Sequence, residues 1–394
     1  MRSTTAKPRI ALALAGGGPL GAIYEVGALC ALDETLRGVD FTQLDHYVGV
    51  SAGSFIAAAL ANGMTPRDMC ASFIEGRGSE ALDVFDPAWL LVPAWEEFAR
   101  RAVMLPMLAT SALWRATVGG RPLTHSLEHL GRSLPTGLFS NALVDLRLSE
   151  VFSQPGRTND FRKLRAKLTL VATDLDTGEA APFGRPGWDD VPISKAVQAS
   201  SALPGLFPPV EIDDRHYVDG ALKKTMHASV ALEERVDLLL CLNPLVPFHA
   251  RESGIPRIVE GGLPSVLSQT FRSMIHSRME LGMKHYERAY PDTKIVLIEP
   301  DHRDPELYLA NTFSYRQRKH LAEHAYQQTR AMLRARREQL EPLLAPFGIR
   351  FNTRVLADAH RHLVSPQKSP TEFGRAIESL EFALDDLQAT LQPA

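Results

Sequence analysis

A serine set between two glycines, Gly49-Val50-Ser51-Ala52-Gly53, is the stretch of this chain best suited to nucleophilic chemistry. An apolar-rich run, Asp45-His46-Tyr47-Val48, precedes it, and Ser54 to Leu60 follows with helical composition. Strand, sharp turn and helix in that order form the nucleophile-elbow pattern. The glycines, Gly49 and Gly53, keep neighbouring backbone clear of the hydroxyl. The helix starting behind it directs its positive end at the same place. G-x-S-x-G alone is a weak pattern, and an ordinary strand-to-helix turn is the competing reading.

Acyl transfer also needs a base and donors for an oxyanion. Gly16-Gly17-Gly18-Pro19-Leu20-Gly21 lies between an apolar run and a helical pattern, so bare backbone N–H groups can approach a reacting atom there. The rival reading of Gly16, Gly18 and Gly21 is a dinucleotide fingerprint. It lacks an acidic residue ending a second strand about 20 residues on. No phosphate-loop Lys-Ser/Thr follows either. For the base, His46, His216 and His227 would each complete a Ser-His-Asp triad. Asp219, before Gly220, is the other candidate, since a carboxylate held beside a hydroxyl in a partly dry site gains proton affinity. Chain spacing leaves this choice open.

Taken in order, the glycine loop, Gly49 to Gly53, the Pro204 to Pro209 segment and Asp219-Gly220-Ala221 resemble the patatin-like phospholipase family. Ala172 to Glu179 also looks like bacterial members. The likeness covers about residues 9–245. It implies a Ser-Asp dyad without catalytic histidine. Ser51 would be the nucleophile, Asp219 the base, and the N–H groups of Gly16, Gly17 and Gly18 the oxyanion donors. It implies a three-layer α/β/α domain with a mainly parallel sheet, acting on carboxylic esters of lipids without metal or organic cofactor. One position departs. The family usually carries a basic residue before the last glycine of the loop, and this chain has Leu20. Slower work, or a preference for less charged esters, is the expected consequence. A broad carboxylesterase or thioesterase on the same dyad, and a catalytically silent lipid-binding scaffold, are the alternatives.

The positioning elements follow from periodicity. Residues 9–15 read as a first strand and Ala22 to Glu34 as a helix, with Ile23, Val26, Leu29 and Leu32 at helical spacing. Thr65-Pro66 marks a helix start. Residues 79–140, holding Trp89, Trp95 and Trp114, read as a helical insertion, either a small subdomain or a lipid-facing surface. Lys167 to Thr173, Arg215 to Val218, Asp237 to Leu242 and Lys294 to Ile298 read as strands. Val191 to Ala202, Leu263 to Tyr290 and residues 315–345 read as helices. Asp301, His302, Asp304 and Glu306 read as a solvated loop interrupted by Pro305, not a calcium site. The body is expected to run from 1 to 300, with a helical region over 301–394. In the tail, Phe373, Ile377, Leu380, Leu384, Leu387 and Leu391 form a coiled-coil seam within a helix over about 370–391. It either packs on the body or pairs with another copy or a partner helix. Residues 364–370 are the linker candidate.

Composition sets the remaining bounds. The chain has 394 residues, 45% hydrophobic, with 43 basic and 46 acidic side chains. That balance gives no basic surface for nucleic acid. Cys30, Cys70 and Cys241 are odd in number and far apart, as buried thiols in a reducing compartment would be. Residues 1–8 read as a disordered leader. The apolar run Ile10 to Ala15 is shorter than the roughly 7–15 residues of a signal core, and no run of about 18 apolar residues suits a membrane span. A cytoplasmic protein, with peripheral membrane contact at most, is expected.

Overall fold

The computed structural model describes residues 7–76, 90–103, 106, 110, 134–253, 257–310 and 315–364. In chain order its main elements are β1 (Ile10–Leu14), α1 (Gly18–Thr35), β2 (Leu36–Arg37), β3 (His46–Val50) and α2 (Ala52–Ala61). Then come α3 (Ala142–Phe152), β4 (Lys167–Asp174), β5 (Ala180–Phe183), α4 (Ile193–Ser200), β6 (Val210–Ile212), β7 (Arg215–Asp219), α5 (Ser229–Glu233) and β8 (Leu238–Leu242). The remainder holds α6 (Gly262–Ala289), β9 (Lys294–Ile298), α7 (Tyr315–Ala335), α8 (Arg337–Leu344) and β10 (Arg350–Phe351).

The main sheet runs β6-β7-β4-β3-β1-β8-β9, with β5 also paired to β4. From β4 to β9 the neighbours are parallel, while β5, β6 and β7 join antiparallel. Alternation along the central strands assigns the layers. Ile10, Leu12 and Leu14 of β1 face one core with α1, α2 and α7. Ala11 and Ala13 face the other, with α5 and the Met279 side of α6. Successive strand residues point to opposite faces, so a sheet covered on both sides needs continuous apolar runs. The architecture is three-layer α/β/α.

Helix α7 closes tightly on α1. A Cβ at Gly27 would stand 2.5 Å from the Ala322 carbonyl oxygen. Tyr326 donates to Glu34 at 2.6 Å, and β10 pairs antiparallel with β2. The helix expected over 315–345 is broken. Arg336 leaves helical geometry (φ −97°, ψ 7°) and donates to the Leu297 carbonyl of β9 at 2.9 Å. Neither glycine nor proline marks that break, because a tertiary contact makes it.

The 301–306 cluster also differs from expectation. Asp304 is buried, caps the short helix Pro305–Leu309 through the Glu306 N–H, and pairs with His324 at 2.7 Å. Pro305 starts that helix, where a missing N–H costs nothing. Among the described residues no group of three or more His, Cys, Asp or Glu is placed to hold a metal. The three cysteines are buried and unpaired. Of the expected insertion, residues 95–103 are helical and Trp95 is exposed, while Trp89 and Trp114 lie outside the described residues. The 370–391 seam lies outside them too.

Candidate active site

Ser51 sits where β3 ends and α2 begins, at φ 51° and ψ −121°. Such backbone is costly for a residue with a side chain and persists only where its surroundings enforce it. Here α2 is pinned against the end of β1. The Gly53 N–H donates to the Ala15 carbonyl at 3.2 Å, and a Cβ at Gly53 would lie 2.5 Å from the Leu14 carbonyl oxygen. A Cβ at Gly49 would collide with Ser54 Cα at 2.6 Å. Both glycines therefore permit the approach that turns the chain.

The Ser51 Oγ donates to Asp219 Oδ2 at 2.5 Å. Asp219 ends β7, and its other carboxylate oxygen accepts the Ala221 N–H at 2.8 Å. Gly220 lets that turn pack under the sheet, since a Cβ there would stand 2.1 Å from the Val171 carbonyl oxygen. The pair is nearly closed off, Ser51 being 7% and Asp219 3% exposed. Burial pushes the Asp219 carboxyl up to about 6, although hydrogen bonds from Ser51 and Ala221 pull the other way.

The glycine loop touches the same point. A Cβ at Gly16 would come within 2.9 Å of Ala221 Cβ and 3.0 Å of Ser51 Cβ. The three expected donors are not equivalent. The Gly16 N–H is spent on the Thr225 carbonyl at 3.3 Å, and that of Gly21 on Gly17 at 3.0 Å. The N–H groups of Gly17 and Gly18 donate to no acceptor among the described residues. Gly18 has φ 59°, a left-handed conformation suited to glycine, and opens α1. Ala52, the first residue of α2, likewise has an uncommitted N–H among the described residues. Sequence reading did not single it out. Two helix N-termini, those of α1 and α2, thus converge beside the hydroxyl, where negative charge is favoured.

The histidines lie elsewhere. His46 begins β3, five residues before Ser51 and so roughly 16 Å down the strand. It bonds Thr169 at 3.0 Å, and burial pushes its imidazole down to about 4. His216 is exposed on β7. His227 is buried and neutral, its imidazole pushed down to about 4 by burial. Its Nε2 meets the Gly220 carbonyl at 3.2 Å, so that nitrogen carries the proton. The same peptide unit presents the Ala221 N–H to Asp219, so His227 holds the turn that holds the carboxylate.

Sequence reading missed Ser200. Its hydroxyl accepts the Ser51 N–H at 2.9 Å and donates to the Val171 carbonyl at 2.7 Å. A serine near a helix end gives no signal of this. Ser200→Ala should leave the Ser51 N–H unpaired, lowering stability by about 1–2 kcal/mol. If Ser51 is a nucleophile toward esters, turnover of a short soluble ester should fall roughly tenfold, given how steeply rate follows geometry. Unchanged kinetics and melting temperature would remove Ser200 from the site's support.

A hollow lined by Leu20, Tyr24, Pro244, Arg272, His302 and Tyr308 borders the first turns of α1, and neither Ser51 nor Asp219 lines it. Leu20, where a basic residue is usual, packs against the main core.

Fold and site together define an α/β/α protein with a serine at a strand-to-helix elbow, hydrogen-bonded to a buried aspartate. The family model of patatin-like phospholipases matches residues 12–232, more than half of the chain. The chain belongs to that family. An uncharacterized NTE family protein of Mycobacterium tuberculosis is 26% identical over 260 residues, covering 66% of this chain and 33% of that protein. A second from the same species is 30% identical over 113 residues, 29% of this chain and 28% of that one. The aligned parts thus span about a third of these relatives or less. Among solved structures, VipD from Legionella pneumophila aligns with TM-score 0.37 and 18% identity, over 84% of this chain and 67% of that one. Human GIVD cytosolic phospholipase A2, in complex with methyl gamma-linolenyl fluorophosphonate, aligns with TM-score 0.32 and 15% identity, over 84% and 58%. No helix among the described residues is long and apolar enough to cross a membrane.

Proposed function

We propose that the chain cleaves carboxylic esters of lipids through a Ser51-Asp219 dyad and an acyl-enzyme. The observation that carries this is the 2.5 Å hydrogen bond from Ser51 Oγ to Asp219 Oδ2. Ser51 Oγ attacks the acyl carbonyl carbon while Asp219 takes its proton. The carbonyl oxygen becomes an oxyanion facing the N–H groups of Gly17, Gly18 and Ala52. The tetrahedral species collapses, the ester C–O bond breaks, and the proton on Asp219 passes to the leaving alcohol. Water then attacks the acyl-enzyme carbonyl as Asp219 accepts its proton, the acyl C–Oγ bond breaks, and Asp219 passes the proton to Ser51 Oγ, freeing the fatty acid. An aspartate serves as base here because a carboxyl at about 6 is mostly ionised at neutral pH and more basic than a solvated one.

Incubation with a fluorophosphonate should give one covalent adduct, mapped by mass spectrometry to the Ser51 peptide, and the active protein should release fatty acid from phospholipid vesicles. His216→Ala should keep both properties within about twofold, the usual effect of a surface change remote from the chemistry. An adduct elsewhere, or none together with no ester turnover, would defeat the proposal.

A further inference from the structure

We infer that the exposed face of α6 is a docking surface for a lipid bilayer, on a helix bonded to the segment that follows Asp219. The inference rests on the lipid-hydrolase reading for its choice of partner and on the geometry of α6 for its location.

Helix α6 has two apolar faces. Met279, Met283 and Tyr286 pack against the second core. Gln269 lies on that inner side too, exchanging hydrogen bonds with the Phe248 backbone at 2.8 and 3.1 Å. Leu263, Leu267, Phe271 and Met274 step by four, four and three residues along the opposite side. All four are exposed, Leu263 at 70% and Phe271 at 47%. One helix face is thus used by the fold and the other is left to solvent, at a density of large side chains that marks a binding surface.

Charge selects the partner. On its solvent side from Gly262 to Met279 the helix carries Arg278 and no aspartate or glutamate, while Arg272 turns inward to the Val246 carbonyl and the Tyr308 ring. Apolar side chains with an exposed arginine at one end suit a surface of acyl chains under anionic headgroups.

Position ties the face to the chemistry. Arg278 donates to the Leu222 carbonyl at 3.2 Å, three residues beyond Asp219. Thr225, whose carbonyl holds the Gly16 N–H, donates its hydroxyl to the Ile275 carbonyl at 3.4 Å. On the other flank the Asp219 N–H meets the Ala202 carbonyl at 3.0 Å, and the exposed Leu203 and Leu206 follow in the chain.

The test uses full-length protein carrying Ser51→Ala, so that binding is read without turnover. Flotation with vesicles of phosphatidylcholine, with and without phosphatidylglycerol, is measured for this protein and for versions adding Phe271→Glu or Leu263→Gln/Leu267→Gln. Each added change should weaken binding roughly tenfold or more, since each takes large apolar side chains out of the membrane contact. Binding should be tighter with phosphatidylglycerol and weaker at high salt. In the Ser51 background the same changes should lower vesicle hydrolysis and leave short-ester turnover and melting temperature within error. Unaltered vesicle binding overturns the inference, as does a shift from dimer to monomer on Phe271→Glu, which would assign the face to a second copy. Binding that also rises when residues 371–394 are deleted, and that Phe271→Glu does not reduce, assigns it to the tail and overturns it equally. Loss of binding in a protein inert toward every ester would keep the surface and reject the dyad.

Discussion

Ser51→Ala and Asp219→Asn should each reduce kcat on a short soluble ester by roughly 10⁴-fold or more, the scale seen when one member of a concerted catalytic set is removed. The geometry makes the two losses equivalent. The hydroxyl without the carboxylate has no proton acceptor, because no histidine among the described residues hydrogen-bonds to Ser51. The carboxylate without the hydroxyl has only water to activate, and no acyl-enzyme can form. The double variant should therefore be no slower than the worse single one. Additive losses would mean that the two residues act separately. Fluorophosphonate labelling should vanish with Ser51→Ala and slow steeply with Asp219→Asn. Circular dichroism and melting curves distinguish these outcomes from unfolding, and Ser51→Ala, a change of one oxygen, is the cleaner of the two.

The parts of this molecule legible in the sequence are those fixed by local rules. Leu238 to Leu242 could only be a strand buried on both faces, and it is, with alternate residues in two cores. Gly49, Gly53 and Gly220 mark places where backbone packs on backbone, and in each case an added Cβ would meet backbone at 2.6 Å or less. The illegible parts are set by partners distant in the chain. Ser200 finds the Ser51 N–H across 149 positions. Arg336 breaks a helix to reach a strand. Asp304, which composition assigns to solvent, is buried because His324 comes to it. Gly16 looks the same as Gly17 in the sequence and differs only because Thr225 claims its N–H. Helix α6 is a subtler case. Its methionines and leucines run on both sides, so periodicity gives the helix but not which face the protein covers.

A buried carboxylate poised near neutrality must make activity and stability respond oppositely to pH. Turnover of a neutral soluble ester requires the ionised form of Asp219, whose carboxyl stands at about 6. kcat/KM should thus be flat above pH 7 and fall about tenfold per unit below 6, some 100-fold between pH 7 and 4. Stability runs the other way. In the unfolded chain an aspartate titrates near ~3.9. Its folded value is raised, so its contribution is fully present below the unfolded value and is lost as pH rises through about 6. At pH 8 the ionised group then costs the fold about 3 kcal/mol relative to its protonated form. Other buried acids, Glu25 and Glu299 among them, are raised by burial too, so wild type alone does not isolate the effect. The difference between wild type and Asp219→Asn does. Denaturant midpoints should show the inactive variant more stable at pH 8, with the gap closing toward pH 4.5. A gap independent of pH would mean that the carboxylate is not raised in the fold, and would leave the site without the proton affinity its chemistry requires.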